Sequence, residues 1–395
     1  MSIRALVNTE AVETLDAQEL PNRSPLRFHR RLPRYEETPL VDAPGLADTL
    51  GVGKVLVKDE SSRLGLPAFK VLGASWAVYR TLEERLPGGT FGDWETFEEL
   101  KEKLEPLRPL NLVAATDGNH GRALAWVARL LRLGARIFVP EDMVTARREA
   151  IACEGAEVIV VEGTYDDAVE RSAAEEGERG LVISDMAWPG YEQIPSWVIE
   201  GYSTMLWEID DELERRKEAG PDLVVVQIGV GAFAAAVARH FRGPQSSRHP
   251  MLLGVEPANA AGTLRSVEEG RIVSVPGPHD SIMSGLNCGR PSLVAWPTVS
   301  RGIDVLIAVD DEPSGEAMRL MAASGIVSGE TGAAGLGGLL ELLCRGSPGQ
   351  QEGQREEVRR ALGVNRESRV LLFNSEGATD PDAYRKLMGG VPAPS

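Results

Sequence analysis

The chain of 395 residues is short of several things, and each shortage narrows its chemistry. It has three cysteines, Cys153, Cys288 and Cys344, which no motif pairs, so a disulfide framework does not fit and a reducing compartment, the cytoplasm, is expected. Its five histidines (His29, His120, His240, His249 and His279) have no metal-ligand spacing, so no metal is expected. There is no GxSxG elbow, and no glycine turn leads into a Gly-Lys-Ser/Thr phosphate loop. Aromatic residues make up 5%, and the seven tryptophans are scattered, as core residues are. Positive charge is the minority: 42 Lys plus Arg against 59 Asp plus Glu leave a net charge of −17. Nucleic acid and anionic membrane surfaces, which need clustered positive charge, are therefore not expected partners. The longest apolar run, LVVVQIGVGAFAAAVA (223–238), is interrupted by glycines and followed by Arg-His-Phe-Arg, so no membrane span is expected. The opening MSIRALVNTEAVETLD carries charges where a secretory leader needs an apolar core.

What remains is globular: 43% hydrophobic and 26% charged residues in a length suited to two domains. Residues 1–50 are rich in proline and read as an irregular extended arm. VGKVLVKDE (52–60) reads as a strand and FKVLGASWAVYRTLEERL (69–86) as a helix, with a polar insertion or hinge at 87–109. From residue 111 short apolar runs (NLVAAT, RIFVP, EVIVVEG, LVISD) alternate with helical patterns. The first of these helices, GRALAWVARLLRLG, is expected to stop at Gly134. A second series follows, LVVVQI, LLGVEP, DVLIAVD and RVLLFNSEG, and residues 345–360 read as a solvated loop or surface helix. Strands apolar on both faces and alternating with helices predict a doubly wound, mostly parallel α/β architecture in two lobes.

Three features carry candidate chemistry. Lys70, in LPAFKVLGAS, falls where a helix begins, and the positive end of the dipole disfavours its charge. A neutral amine there can form a Schiff base with a carbonyl, although an isolated lysine is more often a snorkelling surface side chain. In ATDGNHGRALAWVARL a strand runs through Thr116, Asp117, Gly118, Asn119 and His120 into a helix. Its amides suit a carboxylate or phosphate, Asn119 a phenolic or carboxylate oxygen, and Asp117 a base; a plain capped turn explains the pattern equally well. Gln227 to Ala234 is again strand, glycine turn and helix, with Gly229, Val230, Gly231, Ala232, Phe233 and Ala234 placed to cradle a phosphate. It is not the complete GxGxxG fingerprint, and a structural turn is the competing reading.

In this order the blocks resemble the fold type II family of pyridoxal-phosphate enzymes, the tryptophan synthase β-like architecture. Within it they look most like the diaminopropionate ammonia-lyase branch, through AFKVLGAS, ATDGNHGRALAWVA, ISDMAWPGYEQIPSWVIEGYSTM, QIGVGAFAAAVA, GVEPANAA, SIMSGLNCG, SGETGAAGL and LLFNSEGATDPDAYRKLM. Asp117 stands where the dehydratases usually have serine, and Asp185 to Trp188 matches the branch's Asp-x-Ala-Trp.

The resemblance implies pyridoxal 5'-phosphate held by Lys70, its phosphate at Gly229 to Ala234, its phenolic oxygen at Asn119 and its ring nitrogen at the Ser375 hydroxyl. It implies a substrate carboxylate at Thr116 to His120, and Asp117 and Asp185 as bases serving opposite faces of the α carbon. The reaction implied is α,β-elimination of ammonia from D- and/or L-2,3-diaminopropionate to pyruvate and ammonia, with a threonine or serine dehydratase, or another β-eliminating amino-acid lyase of the same fold, as the alternative. A small amino acid as substrate, a homodimer and a large cofactor domain (1–108 and 188–395) around an inserted small one (109–187) are also implied, the cofactor lying between them. Val230, Ala232 and Phe233 depart from the small residues common in the cradle, and Phe233 is expected to narrow it; Met186 and Pro189 occupy variable places.

Overall fold

The computed structural model describes residues 4–15, 22–163, 165–243, 249–345 and 350–390; residues 346–349 of the 345–360 segment and the last five of the chain lie outside them. Eleven described strands form two sheets. In the larger, β1 (Arg4–Val7), β2 (Leu40–Asp42), β3 (Lys54–Asp59), β8 (Leu223–Gln227), β9 (Met251–Pro257), β10 (Val305–Val309) and β11 (Arg369–Asn374) lie in the order β1-β10-β9-β8-β11-β3-β2. The inner five are parallel, and β1 and β2 are antiparallel edges. In the smaller, β4 (Asn111–Ala115), β5 (Gly134–Pro140), β6 (Glu157–Val161) and β7 (Gly180–Val182) lie in the order β6-β5-β4-β7, all parallel. Leu223 to Gln227 and Val305 to Val309 are buried at every position, as strands covered by helices on both faces must be.

Each sheet has a switch in strand order. The chain runs outward from β8 to β9 and β10, while β11 and β3 lie on the other side of β8; likewise β4 leads to β5 and β6, with β7 on the other side. A crevice opens at the carboxyl ends of two such strands, and there α/β sheets bind their ligands. The residues following β8 and β11, and those following β4 and β7, are the candidate positions.

Two compact units emerge: Met1–Asn22, Glu37–Ser62 and Met205–Ser395 form one, Arg23–Glu36 and Arg63–Thr204 the other. The second takes in more chain than the 109–187 expected of the smaller lobe. The helix Lys70–Arg85 packs on the helix Asn119–Leu131, and the buried His29 binds the Leu72 carbonyl, Ser75 Oγ and Thr204 Oγ1 at 3.0, 3.1 and 2.6 Å.

Three local expectations need correction. The described part of residues 1–50 is not an irregular arm: it supplies both edge strands of the larger sheet and the helices Ser24–His29 and Pro44–Leu50. Pro25 and Pro44 stand in the first turn, where a missing N–H breaks no hydrogen bond. The helix Asn119–Leu131 ends on Arg132 in the left-handed conformation, and Gly134 opens β5; a Cβ at Gly134 would lie 1.9 Å from Asn111 Oδ1, so its glycine serves close packing. The helix Gln350–Leu362 is not wholly solvated, because it buries Arg355, Val358 and Leu362, with Arg355 paired to the buried Glu341. The polar 87–109 stretch holds the helix Phe97–Lys103, whose first turn Thr96 caps by accepting from the Glu99 amide.

Candidate active site

In the second unit the chain leaves β4 through Thr116 and Asp117 and enters the helix Asn119–Leu131 at Gly118, whose φ of +144° only glycine adopts readily. Thr116 Oγ1 accepts from the Gly118 and Gly121 amides, both at 3.0 Å, so it caps the turn and takes up two of its donors. A Cβ at Gly121 would sit 2.3 Å from Thr116 Cγ2, so the turn is closed by contact as well. His120 Nε2 lies 2.8 Å from the Ile183 carbonyl, tying the helix start to the segment after β7, and its Nδ1 has no hydrogen-bond partner among the described residues. Tyr191 completes the support: its hydroxyl donates to the Val182 carbonyl and accepts from the Ser184 amide, while its ring stacks on Trp188 at 4.1 Å.

This scaffold places Asp185 against Lys70, the first residue of the helix Lys70–Arg85, with Nζ 2.7 Å from Oδ2. Burial alone would raise the Asp185 carboxyl, but the Lys70 charge, His120 and the direct hydrogen bond outweigh it and hold the group well below the usual carboxylate range. Asp117, after the neighbouring strand, behaves oppositely. Burial pushes it up to about 6 against the pull of Arg147, and the Asp185 charge adds to the rise. Two carboxylates in one crevice thus stay apart in affinity for a proton, the pattern of an acid and base assignment.

In the first unit β8 ends in Gln227, and Gly231, at φ +92°, begins the helix Ala232–Phe241. No side chain caps that helix and its first turn carries no acidic residue, so its amides suit an anion, with the dipole behind them. Gly229 is closely packed: a Cβ there would lie 3.0 Å from the Gly285 carbonyl oxygen. Phe233 does not block the turn with its ring, which packs edge-on against Phe373 of β11 at 5.0 Å. Ser375, buried just past β11, accepts a hydrogen bond from Gln227 Nε2 at 2.8 Å.

Lys70, Thr116, Asp117, Gly118, Asn119, His120 and Asp185 are therefore gathered in one unit, and Gly229 to Ala234 with Ser375 in the other. Sequence reasoning missed three neighbours. Arg147 lies over the Asp117 turn, its Cδ 3.1 Å from where a Cβ on Gly118 would be; nothing in VTARREA marks it out. Tyr202 is fully buried, with its ring against Phe69 at 4.7 Å and against Gly73, and its hydroxyl toward Lys70 and Asp185. Gln227 was legible as a polar residue closing an otherwise apolar strand, yet no role followed from that.

The family model for pyridoxal-phosphate dependent enzymes matches residues 32–352. The chain belongs to this family. It is 35% identical over 376 residues to a diaminopropionate ammonia-lyase of Salmonella typhimurium, covering 92% of this chain and 90% of that one. It superposes on the holo diaminopropionate ammonia lyase of Escherichia coli with a TM-score of 0.86 at 32% identity, covering 98% and 96% of the two chains. The same enzyme solved with D-serine gives 0.85.

The fold is the type II fold of pyridoxal-phosphate enzymes, and pyridoxal phosphate is the cofactor. The residues present suit it. The glycine turn offers backbone donors without a carboxylate, Ser375 a neutral hydroxyl, and Lys70 a primary amine. We propose Lys70, Asn119, the 229–234 turn and Ser375 as the residues that would hold it.

Proposed function

We propose that Lys70, Asp117 and Asp185 carry the reaction of a pyridoxal-phosphate-dependent ammonia-lyase acting on 2,3-diaminopropionate. The substrate loses its α hydrogen and β ammonia, and hydrolysis of the remaining enamine gives pyruvate and a second ammonia. Bound pyridoxal phosphate supplies an aldehyde that condenses with amines and a ring that withdraws electrons from the α carbon. The observation that carries the reading is the Lys70–Asp185 contact of 2.7 Å, with Asp117 held near 6 in the same crevice.

Lys70 is the covalent anchor. Asp185 stays ionised at physiological pH and exchanges protons through the Lys70 amine beside it. Asp117 takes or returns a proton near neutrality. The amides at the start of the helix Asn119–Leu131 and the Arg147 guanidinium, which lies 3.4 Å from the Asp117 carbonyl, suit a substrate carboxylate. Asp117 and Asp185 follow adjacent strands, which supports their serving opposite faces of the α carbon and hence both enantiomers.

The test is pyruvate release from D- and L-2,3-diaminopropionate, serine and threonine. Asp185→Asn and Asp117→Asn should each lose one enantiomer by a hundredfold or so and spare the other; equal loss on both would end the two-base reading. Turnover of serine or threonine alone would favour a dehydratase. Lys70→Ala should abolish the visible absorbance of the lysine-bound cofactor.

A cytoplasmic homodimer is part of the same reading. It is supported by the free cysteines and the resemblance; among the described residues no helix is long and apolar enough to cross a membrane. So is the division into a cofactor-binding part (1–108 and 188–395) and an inserted part (109–187), the latter carrying the whole β4–β7 sheet.

A further inference from the structure

Gln227 closes β8 and is 3% exposed. Its amide nitrogen lies 2.8 Å from Ser375 Oγ, 3.1 Å from the Phe373 carbonyl oxygen and 3.3 Å from that of Thr331. Carbonyl oxygens only accept, so the group facing them is the NH2, which fixes the orientation of the amide. The other end, Oε1, turns toward Gly335 and has no hydrogen-bond partner among the described residues. A buried acceptor without a partner is costly, but the flipped amide would press that oxygen against two carbonyls. An amide nitrogen cannot accept a hydrogen bond. Ser375 Oγ is therefore the acceptor of the pair, and its single hydrogen must point away from Gln227.

We propose that Gln227 is a positioning residue that aims the Ser375 hydroxyl hydrogen at the cofactor's ring nitrogen and so keeps that nitrogen unprotonated. The proposal rests on the reading of Ser375 as the partner of the ring nitrogen. A freely turning hydroxyl can present either a lone pair, which favours a protonated ring, or its hydrogen, which favours a neutral one. Gln227 removes the choice. It does so from β8, which pairs directly with β11, and it stands immediately before the turn of Gly229 to Ala234. One amide thus sets the strand that presents the phosphate donors and the hydroxyl that meets the ring. A neutral ring nitrogen is a weaker electron sink, which suits elimination better than reactions needing a long-lived carbanion.

The test loads apoprotein with pyridoxal phosphate carrying 15N in the ring, and measures the 15N chemical shift and the cofactor dissociation constant. The wild type should show a neutral, hydrogen-bonded nitrogen. Ser375→Ala should move the signal toward unbonded pyridine, whereas Gln227→Met, which frees the Ser375 hydroxyl to present its lone pair, should move it toward protonated pyridinium with about tenfold weaker binding. The double variant should be no worse than Ser375→Ala alone, because Gln227 acts through Ser375. Gln227→Asn, which keeps the amide one methylene short, should shift the signal likewise and covers the case in which the Met variant fails to fold. An unmoved signal in Gln227→Met or Gln227→Asn beside a moved one in Ser375→Ala would overturn the Gln227 proposal alone, as would additive losses in the double variant. An unmoved signal in Ser375→Ala, or a protonated nitrogen in the wild type, would overturn the reading of Ser375 and this proposal with it.

Discussion

Asp117 and Asp185 are the same residue type placed after neighbouring strands, and only their surroundings tell them apart. Both are desolvated, but Asp185 has an ammonium at 2.7 Å that outweighs its burial, whereas the Arg147 charge beside Asp117 does not. This difference has a consequence for stability. Asp117 binds its proton more tightly folded, at about 6, than unfolded, at 3.8, so the folded state loses stability as pH rises through that window. The cost is absent below about pH 4, grows to about pH 6 and is constant above it. Asp117→Asn should therefore be more stable than wild type at pH 8, by about 1–2 kcal/mol allowing for its partial exposure, and no more stable near pH 4. Urea denaturation at the two pH values measures this; an equal difference at both would mean that Asp117 is not raised. The identity of both aspartates was legible in the ATDGNHG and ISDMAW blocks. Their opposite affinities for a proton were not, because Lys70, Arg147 and His120 reach them from distant stretches of the chain.

The elements that matter are two turns from strand to helix, each made possible by one glycine of positive φ: Gly118 before the helix Asn119–Leu131 and Gly231 before the helix Ala232–Phe241. They look alike in the sequence, yet the structure caps them differently. Thr116 occupies two amides of the first turn, while no side chain caps the second. Gly231→Ala would place an L side chain in the left-handed region, at about 1–2 kcal/mol, with its Cβ 3.3 Å from that of Ala295. It should weaken pyridoxal phosphate binding by tenfold or so while far-UV circular dichroism stays unchanged, as a fluorescence titration of apoprotein would show. Undiminished binding would place the phosphate elsewhere. The same scale explains the misread first fifty residues: proline marks irregular chain on average, but at the first turn of a helix it costs nothing.

At the scale of the whole molecule, a net charge of −17 first appears ill-suited to an anionic cofactor and an amino-acid carboxylate. The proposed sites answer this with backbone amides at helix starts, which formal charge does not count. The homodimer is tested by light scattering on the holoenzyme, where a mass of twice the chain is expected and a monomer at micromolar concentration would refute it. What the sequence by itself determined was everything local and repetitive. Uniformly apolar runs alternating with amphipathic ones required parallel sheets under helices, and ordered blocks from AFKVLGAS to LLFNSEGATDPD required the family. What only the tertiary structure decided was which residues meet. Strand order set the two crevices, and with them the facing of Asp185 with Lys70, 115 residues apart, and of Gln227 with Ser375, 148 apart. Hydrophobic patterning is felt between near neighbours in the chain. Proton affinity and hydroxyl orientation depend on contacts of about 3 Å, which the chain makes only once it is folded.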